Sequence, residues 1–175
     1  NLYKSKKYNR AILELNKFIE RYPALPTTPY AYYLRGVIAE EKSASILDEI
    51  FTDNAQRDVQ SIREAYVYFT LLIDTFPNSK YSEKASKKLV VLKNILARHE
   101  FYVALYYTNS GSNIAAINRS KYIIENYPNS PSVADGLHLM AYNYDAINAE
   151  KLAQDARTIL YASYPNYTPN YKIDW

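Results

Sequence analysis

The chain has 175 residues, 48% of them hydrophobic, and its 21 basic and 18 acidic side chains leave a formal net charge of +3. This small surplus does not indicate a nucleic-acid-binding protein, and no apolar run is long enough to span a membrane. The absence of cysteine excludes disulfides, thiolate zinc sites and cysteine nucleophiles. The composition therefore indicates one ordinary hydrophobic core and leaves the cellular compartment open.

An aromatic residue followed by proline closes four successive apolar stretches. The four pairs are Tyr22-Pro23, Phe76-Pro77, Tyr127-Pro128 and Tyr164-Pro165. An alanine stands 12 residues before each proline, at Ala11, Ala65, Ala116 and Ala153. This spacing is the second half of the tetratricopeptide pattern, in which a small residue lets two antiparallel helices pack closely and proline ends the pair.

Apolar periodicity and cap residues predict seven α-helices along the chain. The predicted ranges are 5–21, 28–42, 58–75, 80–109, 113–126, 130–146 and 149–163. Thr28-Pro29 and Ser130-Pro131 each combine an N-cap residue with proline at the first helical position. The predicted fold class is therefore all-α, a tetratricopeptide-repeat-like α-solenoid of antiparallel helix pairs.

The pattern predicts a single helical-repeat domain over residues 1–165. It consists of a half repeat at 1–26 and repeats at 27–77, 78–128 and 129–165. Two features interrupt the regular repeat: an insertion at 42–58, where we expect a loop, and an overlong helix at 80–109. We expect the leading helix of the half repeat, and any targeting signal, to lie upstream of Asn1.

Residues 166–175 form an irregular tail that prolines prevent from continuing the helical pattern. Tyr167, Tyr171, Ile173 and Trp175 give this tail an apolar character that is unusual for a disordered end. Because the last helix of a solenoid has an exposed face, we expect the tail to cover the last helix pair.

No group of residues indicates an enzyme, a metal site or a cofactor. His99 and His138 are far apart and lie outside any metal-binding helix motif, and the glycines are isolated rather than grouped in a phosphate loop. A transglycosylase on a helical scaffold needs a separate catalytic lobe, and no segment remains to form one. Single-stranded RNA binding by helical repeats needs a regular repeat length, which this chain lacks.

The chain contains 20 tyrosines, and two interpretations compete for them. Some, such as Tyr107 and Tyr144, occupy repeat positions that pack between helices. Others, among them Tyr102, Tyr106 and Tyr122, are candidates either for packing or for a groove in which their hydroxyls bind a partner's backbone.

From residue 57 onward the sequence resembles the BamD/ComL family of outer-membrane β-barrel assembly lipoproteins. The matching residues include Ala65, Phe69, Pro77-Asn78-Ser79, Tyr81, Leu96-Ala97, Glu100, Ala104, Tyr106-Tyr107, Ala115-Ala116, Arg119 and Tyr127-Pro128. The insertion and the overlong helix are the most specific part of the likeness. The chain departs from the family at Ser112-Asn113, at Gly136, where alanine is usual, and in the tail.

The resemblance implies a non-catalytic scaffold at the periplasmic face of the outer membrane, with a lipid anchor upstream of this chain. It implies binding to the POTRA domain of a BamA-type insertase, with unfolded outer-membrane proteins and other assembly lipoproteins as further partners. The family's Asn-Arg pair matches Asn118-Arg119, and its arginine is implicated in pairing with an acidic insertase residue. Arg119, Asn118, Tyr102, Tyr106 and Tyr122 are therefore the candidate partner-binding residues.

Two expectations accompany this assignment. The alternative function is that of another periplasmic tetratricopeptide adaptor, serving cell-envelope or division machinery. A glutamate in place of Arg119 is expected to weaken insertase binding while leaving the stability of the fold nearly unchanged, because a charge reversal at an interface acts mainly on association.

Overall fold

A computed structural model describes residues 2–47 and 55–173, and the secondary structure in these ranges is entirely α-helical. The helices are α1 (Leu2–Arg21), α2 (Thr28–Leu47), α3 (Ala55–Thr75), α4 (Lys80–Asn109), α5 (Asn113–Asn126), α6 (Ser132–Ala146) and α7 (Glu150–Ser163). The chain forms two compact units, Asn1–Leu92 and Lys93–Trp175. The predicted all-α, tetratricopeptide-like class and the overlong helix at 80–109 are confirmed; the repeat boundaries stay predictions.

Each aromatic-proline pair ends a helix in the same way. The backbone N–H of each aromatic residue donates to the carbonyl oxygen four residues earlier: Tyr22 to Phe18, Phe76 to Leu72, Tyr127 to Ile123 and Tyr164 to Leu160. The following proline has no N–H and cannot extend the helix. In two of these turns a hydroxyl of the next helix closes the connection: Thr28 Oγ1 donates to Tyr22 O at 2.5 Å, and Ser82 Oγ donates to Phe76 O at 2.6 Å.

The first unit packs α2 between α1 and α3, and the amino-terminal part of α4 also contacts α2. Phe69 and Leu72 of α3 are fully buried, and Ala65 lies at the predicted small position without exposed surface. Lys88 of α4 pairs with Glu40 of α2, with 2.5 Å between Nζ and Oε2. A small residue at position 65 therefore permits the close helix approach that the repeat pattern predicts.

The predicted loop at 42–58 is wrong at both ends. Helix α2 continues to Leu47, and α3 begins at Ala55, while residues 48–54 lie outside the described part of the chain. No glycine or proline interrupts residues 42–47, so the helix has no local reason to stop. Lys42 also pairs with Glu64 at 3.5 Å, which ties the end of α2 to α3.

Two helical glycines differ in the space around them. A Cβ built on Gly36 lies 2.5 Å from the buried ring of Phe69, whereas one on Gly136 meets its nearest neighbour at 3.5 Å. Alanine is the better helix former by about 1 kcal/mol. Gly36→Ala is therefore expected to lower the free energy of unfolding by about 1–2 kcal/mol, because overpacking outweighs that gain. Gly136→Ala is expected to be neutral or stabilising. Urea unfolding of both variants checks this, and equal shifts of the same sign would contradict the packing around Gly36.

In the second unit α6 packs against both α5 and α7, and Ala104, Ala116 and Ala153 occupy buried small positions. The fully buried Asn143 of α6 connects to α4: its Nδ2 donates to Thr108 Oγ1 at 2.8 Å, and also to Leu139 O at 2.7 Å. A buried amide bonded to a neighbouring helix restricts how the two helices can align.

Two helices of the second unit end in left-handed residues. Gly111 has φ +71 after α4, where Ser112 N–H donates to Tyr107 O and Gly111 N–H donates to Thr108 O. Asn148 has φ 58 after α6, with an equivalent pair of bonds to Tyr144 and Asp145. Glycine and asparagine are the residues that tolerate this geometry, which lets the chain reverse within three residues.

The tail packs on the last helix pair, as predicted, but it contacts the first helix of that pair and also α4. Tyr171 stacks edge-on against Phe101 of α4, with 4.8 Å between ring centroids, and its hydroxyl shares a 2.7 Å hydrogen bond with His138 Nδ1 of α6. Tyr167 donates to Asp135 of α6 at 2.8 Å. The tail therefore lies on α4 and on the first helix of the last pair, and Trp175 lies outside the described residues.

Candidate functional site

Arg119 projects from α5, and its side chain contacts α4. Its Nη1 donates to Glu100 Oε2 at 2.9 Å, and the side chain of Glu100 is only 2% exposed, whereas that of Arg119 is 45% exposed. The residues around Arg119 on α5 that face the core are Ala116, Ser120 and Ile123. The guanidinium thus lies at the boundary between the core and the solvent.

Asn118 and Tyr122 flank Arg119 on the solvent side of α5. Asn118 is exposed, and Tyr122 is 36% exposed, with its ring 6.0 Å from that of Tyr127. Residues three and four apart are neighbours on a helix surface, so the three side chains form one area. This area, Asn118 with Arg119 and Tyr122, is called the Arg119 patch.

Tyr102 and Tyr106 lie one turn apart on α4 and are more exposed, at 55% and 69%. The guanidinium of Arg98, one turn before Tyr102, stands 4.9 Å from the centre of the Tyr102 ring. Arg98, Tyr102 and Tyr106 therefore form a continuous row, called the Tyr102 patch.

The structure does not bring the five predicted residues together into one site. At 100° per residue, Tyr102 lies about 200° around α4 from Glu100, the residue that contacts Arg119. Tyr102 therefore projects from the side of α4 opposite to the one that holds Arg119. The Arg119 patch and the Tyr102 patch are two separate surfaces of the second unit.

A polar cluster that the sequence did not reveal lies beside the Tyr102 patch. Arg98 Nη1 donates to Asp135 Oδ2 at 2.7 Å, and the same carboxylate accepts from Tyr167. Burial lowers the pKa of His138, although the nearby Asp135 opposes this, and burial raises the pKa of Tyr171. Both side chains are therefore uncharged at neutral pH, which suits a half-buried contact between the tail and α6.

The first unit contains another cation that the sequence analysis overlooked. Arg35 of α2 is buried, its Nη1 donates to Asn16 Oδ1 at 2.8 Å, and its guanidinium lies 4.2 Å from the centre of the Tyr68 ring and 5.1 Å from that of Tyr32. Burial lowers the pKa of this guanidinium, and the two tyrosines oppose the shift. Arg35 thus joins α1, α2 and α3 through an amide and two aromatic faces.

Residues 2–47 and 55–173 contain neither a membrane-spanning helix nor a metal-binding cluster. No helix there is long and apolar enough to cross a membrane. No cluster of three or more His, Asp or Glu side chains in those ranges has the arrangement of a metal site.

Comparison with known proteins gives a consistent result. Residues 1–159 match the model of the YfiO family, described as outer membrane lipoproteins. The chain is similar to proteins named outer membrane protein assembly factor BamD: it is 32% identical over 94% of its length to that of Xylella fastidiosa Temecula1, 34% over 99% to that of Neisseria meningitidis serogroup B, and 30% over 92% to that of Haemophilus influenzae. The chain spans 57%, 65% and 62% of these relatives.

Proposed function

Because the chain belongs to the YfiO family of outer membrane lipoproteins, we propose that it is a non-catalytic scaffold that binds other proteins during outer-membrane protein assembly. The relatives are named for that process. In this proposal the chain works at the periplasmic face of the outer membrane, with a lipid anchor upstream in the parent protein. Its main partner is the POTRA region of a BamA-type insertase.

The observation that carries this proposal is the half-exposed guanidinium of Arg119. Arginine and tyrosine are enriched among the residues that dominate protein interfaces, and the Arg119 patch supplies one of each beside an exposed amide. A guanidinium offers a flat pair of donors that matches a carboxylate. An acidic side chain of the insertase is therefore the complementary group.

The contacts made by the buried polar groups support a scaffold rather than an enzyme. Glu100 pairs with α5, Asp135 binds α4 and the tail, and Asn143 binds α4. These groups connect helices to one another instead of facing a cleft in which a substrate could react.

The Tyr102 patch is proposed as a second contact surface, for unfolded outer-membrane proteins or other assembly lipoproteins. Its exposed tyrosines offer apolar area together with hydroxyl groups, and Arg98 adds a cation that is already partly neutralised by Asp135. Such a surface suits contacts with main-chain groups and apolar side chains better than a strongly charged partner.

Arg119→Lys tests the main contact without removing the charge that Glu100 needs. Lysine lacks the flat pair of donors, so the affinity for the insertase's POTRA region is expected to fall about tenfold or more while the melting temperature stays near that of the parent. Isothermal titration with the POTRA region measures the affinity.

Arg157→Lys is the matched control, because Arg157 of α7 is also a partly exposed arginine paired with a carboxylate, that of Asp145. This control is expected to bind like the parent. If Arg119→Lys also binds like the parent, Arg119 is not a contact and the adaptor alternative gains support.

A further inference from the structure

We infer that Glu100 is a positioning residue for partner binding: it fixes the guanidinium of Arg119 from inside the fold so that the outer edge is presented to a partner carboxylate. The inference rests on the proposed function, because it concerns how the Arg119 patch recognises its partner. It predicts an interface in which one guanidinium bridges two carboxylates, one from α4 and one from the partner.

The difference in burial between the two side chains is the first support. Glu100 is 2% exposed and Arg119 is 45% exposed, although they are in direct contact at 2.9 Å. A carboxylate removed from water needs a counter-charge close by, whereas a half-exposed guanidinium does not. The ion pair with Glu100 therefore restrains the guanidinium of Arg119, which its own partly exposed position would leave free to move.

The donors that remain on Arg119 are the second support. A guanidinium has five N–H donors in a fixed plane, and the bond to Glu100 uses Nη1. Because the guanidinium is planar, fixing one edge also fixes the direction of the other. The outer edge can then donate to the two oxygens of a carboxylate without a search among rotamers.

The turn between α4 and α5 sets this geometry. Glu100 and Arg119 are 19 residues apart in sequence, and the chain reverses between them at Gly111. Two backbone bonds close this turn just before α5 begins at Asn113, and Arg119 of α5 contacts Glu100 of α4. The contact is therefore determined by the rigid part of the fold rather than by a mobile loop.

Repulsion between Glu100 and the partner carboxylate is the competing effect. If it outweighs the benefit of a fixed guanidinium, then removing the charge of Glu100 strengthens binding; if positioning dominates, removal weakens binding. The sign of the change therefore decides between the two.

The experiment uses the full chain with Glu100→Gln, Arg119→Lys and the double variant, each titrated with the POTRA region of the insertase. Glu100→Gln keeps the size of the side chain, and its affinity is expected to fall about three- to tenfold, the usual gain from ordering one long side chain in advance. The double variant is expected to bind no more weakly than Arg119→Lys alone. A Glu100 that only supported the fold would instead lower the affinity by the same factor in both backgrounds.

A measurement on the unaltered protein does not depend on how the variants fold. Nitrogen-15 relaxation of the Arg119 Nε–H in the free chain is expected to show restricted motion compared with the exposed Arg10. A mobile Arg119 overturns the inference, as does unchanged or tighter binding by Glu100→Gln when Arg119→Lys binds weakly. If Arg119→Lys binds like the parent, the proposed contact and the inference fail together.

Discussion

Replacement of Arg119 by glutamate should destabilise the second unit by about 2–3 kcal/mol, less than the loss of a fully buried ion pair because Arg119 is partly exposed. The substitution removes the ion pair that Glu100 makes with Arg119 and places a second carboxylate beside the buried one. Insertase binding should be lost as well. The sequence alone predicts that this reversal leaves stability nearly unchanged, and the contact with Glu100 contradicts that expectation.

Urea unfolding followed by circular dichroism measures the effect, with Arg157→Glu as the control. Arg157 faces Asp145 across a pair in which the two side chains are 38% and 41% exposed, so its reversal should cost about 1 kcal/mol or less. Equal losses of unfolding free energy in the two variants would show that the burial of Glu100 does not increase the cost of the charge reversal. A stable Arg119→Glu chain would mean that Glu100 reaches solvent or another cation.

Tyr171→Ala should destabilise the second unit by about 2–3 kcal/mol, because the tail loses two of the contacts that hold it. The ring of Tyr171 covers Phe101, which is fully buried, and its hydroxyl bonds to His138. The substitution should also make the peptide bonds of the tail accessible to protease.

Thermal unfolding and limited proteolysis together test this expectation. Tyr161→Ala is the control, since Tyr161 on α7 is exposed and its removal should change stability by less than about 0.5 kcal/mol. If Tyr171→Ala melts with the parent and its tail resists protease equally, the tail does not stabilise the unit.

The carboxyl-terminal ends of helices were predictable to within one residue wherever proline or glycine marks them, whereas α6 begins two residues after the predicted start at Ser130. The ends at Arg21, Thr75, Asn126 and Ser163 follow from the proline two residues later, and the end of α4 follows from Gly111. These signals are local, because they depend on the backbone chemistry of one residue. The insertion was predicted poorly because residues 42–47 carry no such signal, and helix propensity together with the Lys42–Glu64 pair extends α2.

The docking site of the tail could not be predicted from the sequence. Tyr171 reaches His138 and Asp135, which lie 33 and 36 residues earlier, and a contact at that separation leaves no periodic trace. The apolar residues of the tail indicated that it packs. They carried no information about which helix it packs on.

The residues of the candidate site stay predictions, and their arrangement could not be predicted from the sequence. The resemblance to the family indicated Arg119, and the structure shows that Tyr102 and Tyr106 are exposed. The motif did not show that Glu100 binds Arg119, or that the tyrosines of α4 belong to a different surface from Arg119. Both facts depend on how the helices pack in three dimensions, and a local sequence motif does not record that packing.

We expect the position of the tail to affect the rates at which the second unit folds and unfolds. Its binding groups come from two helices, Phe101 from α4 and His138 from α6, so the tail can dock only after these helices have met. The contacts between α5, α6 and α7 join neighbours in sequence and can form earlier at a lower entropic cost. Interactions that form after the transition state slow unfolding without speeding folding. We therefore expect the tail to slow unfolding of the second unit, and the helix pairs to determine how fast the unit forms.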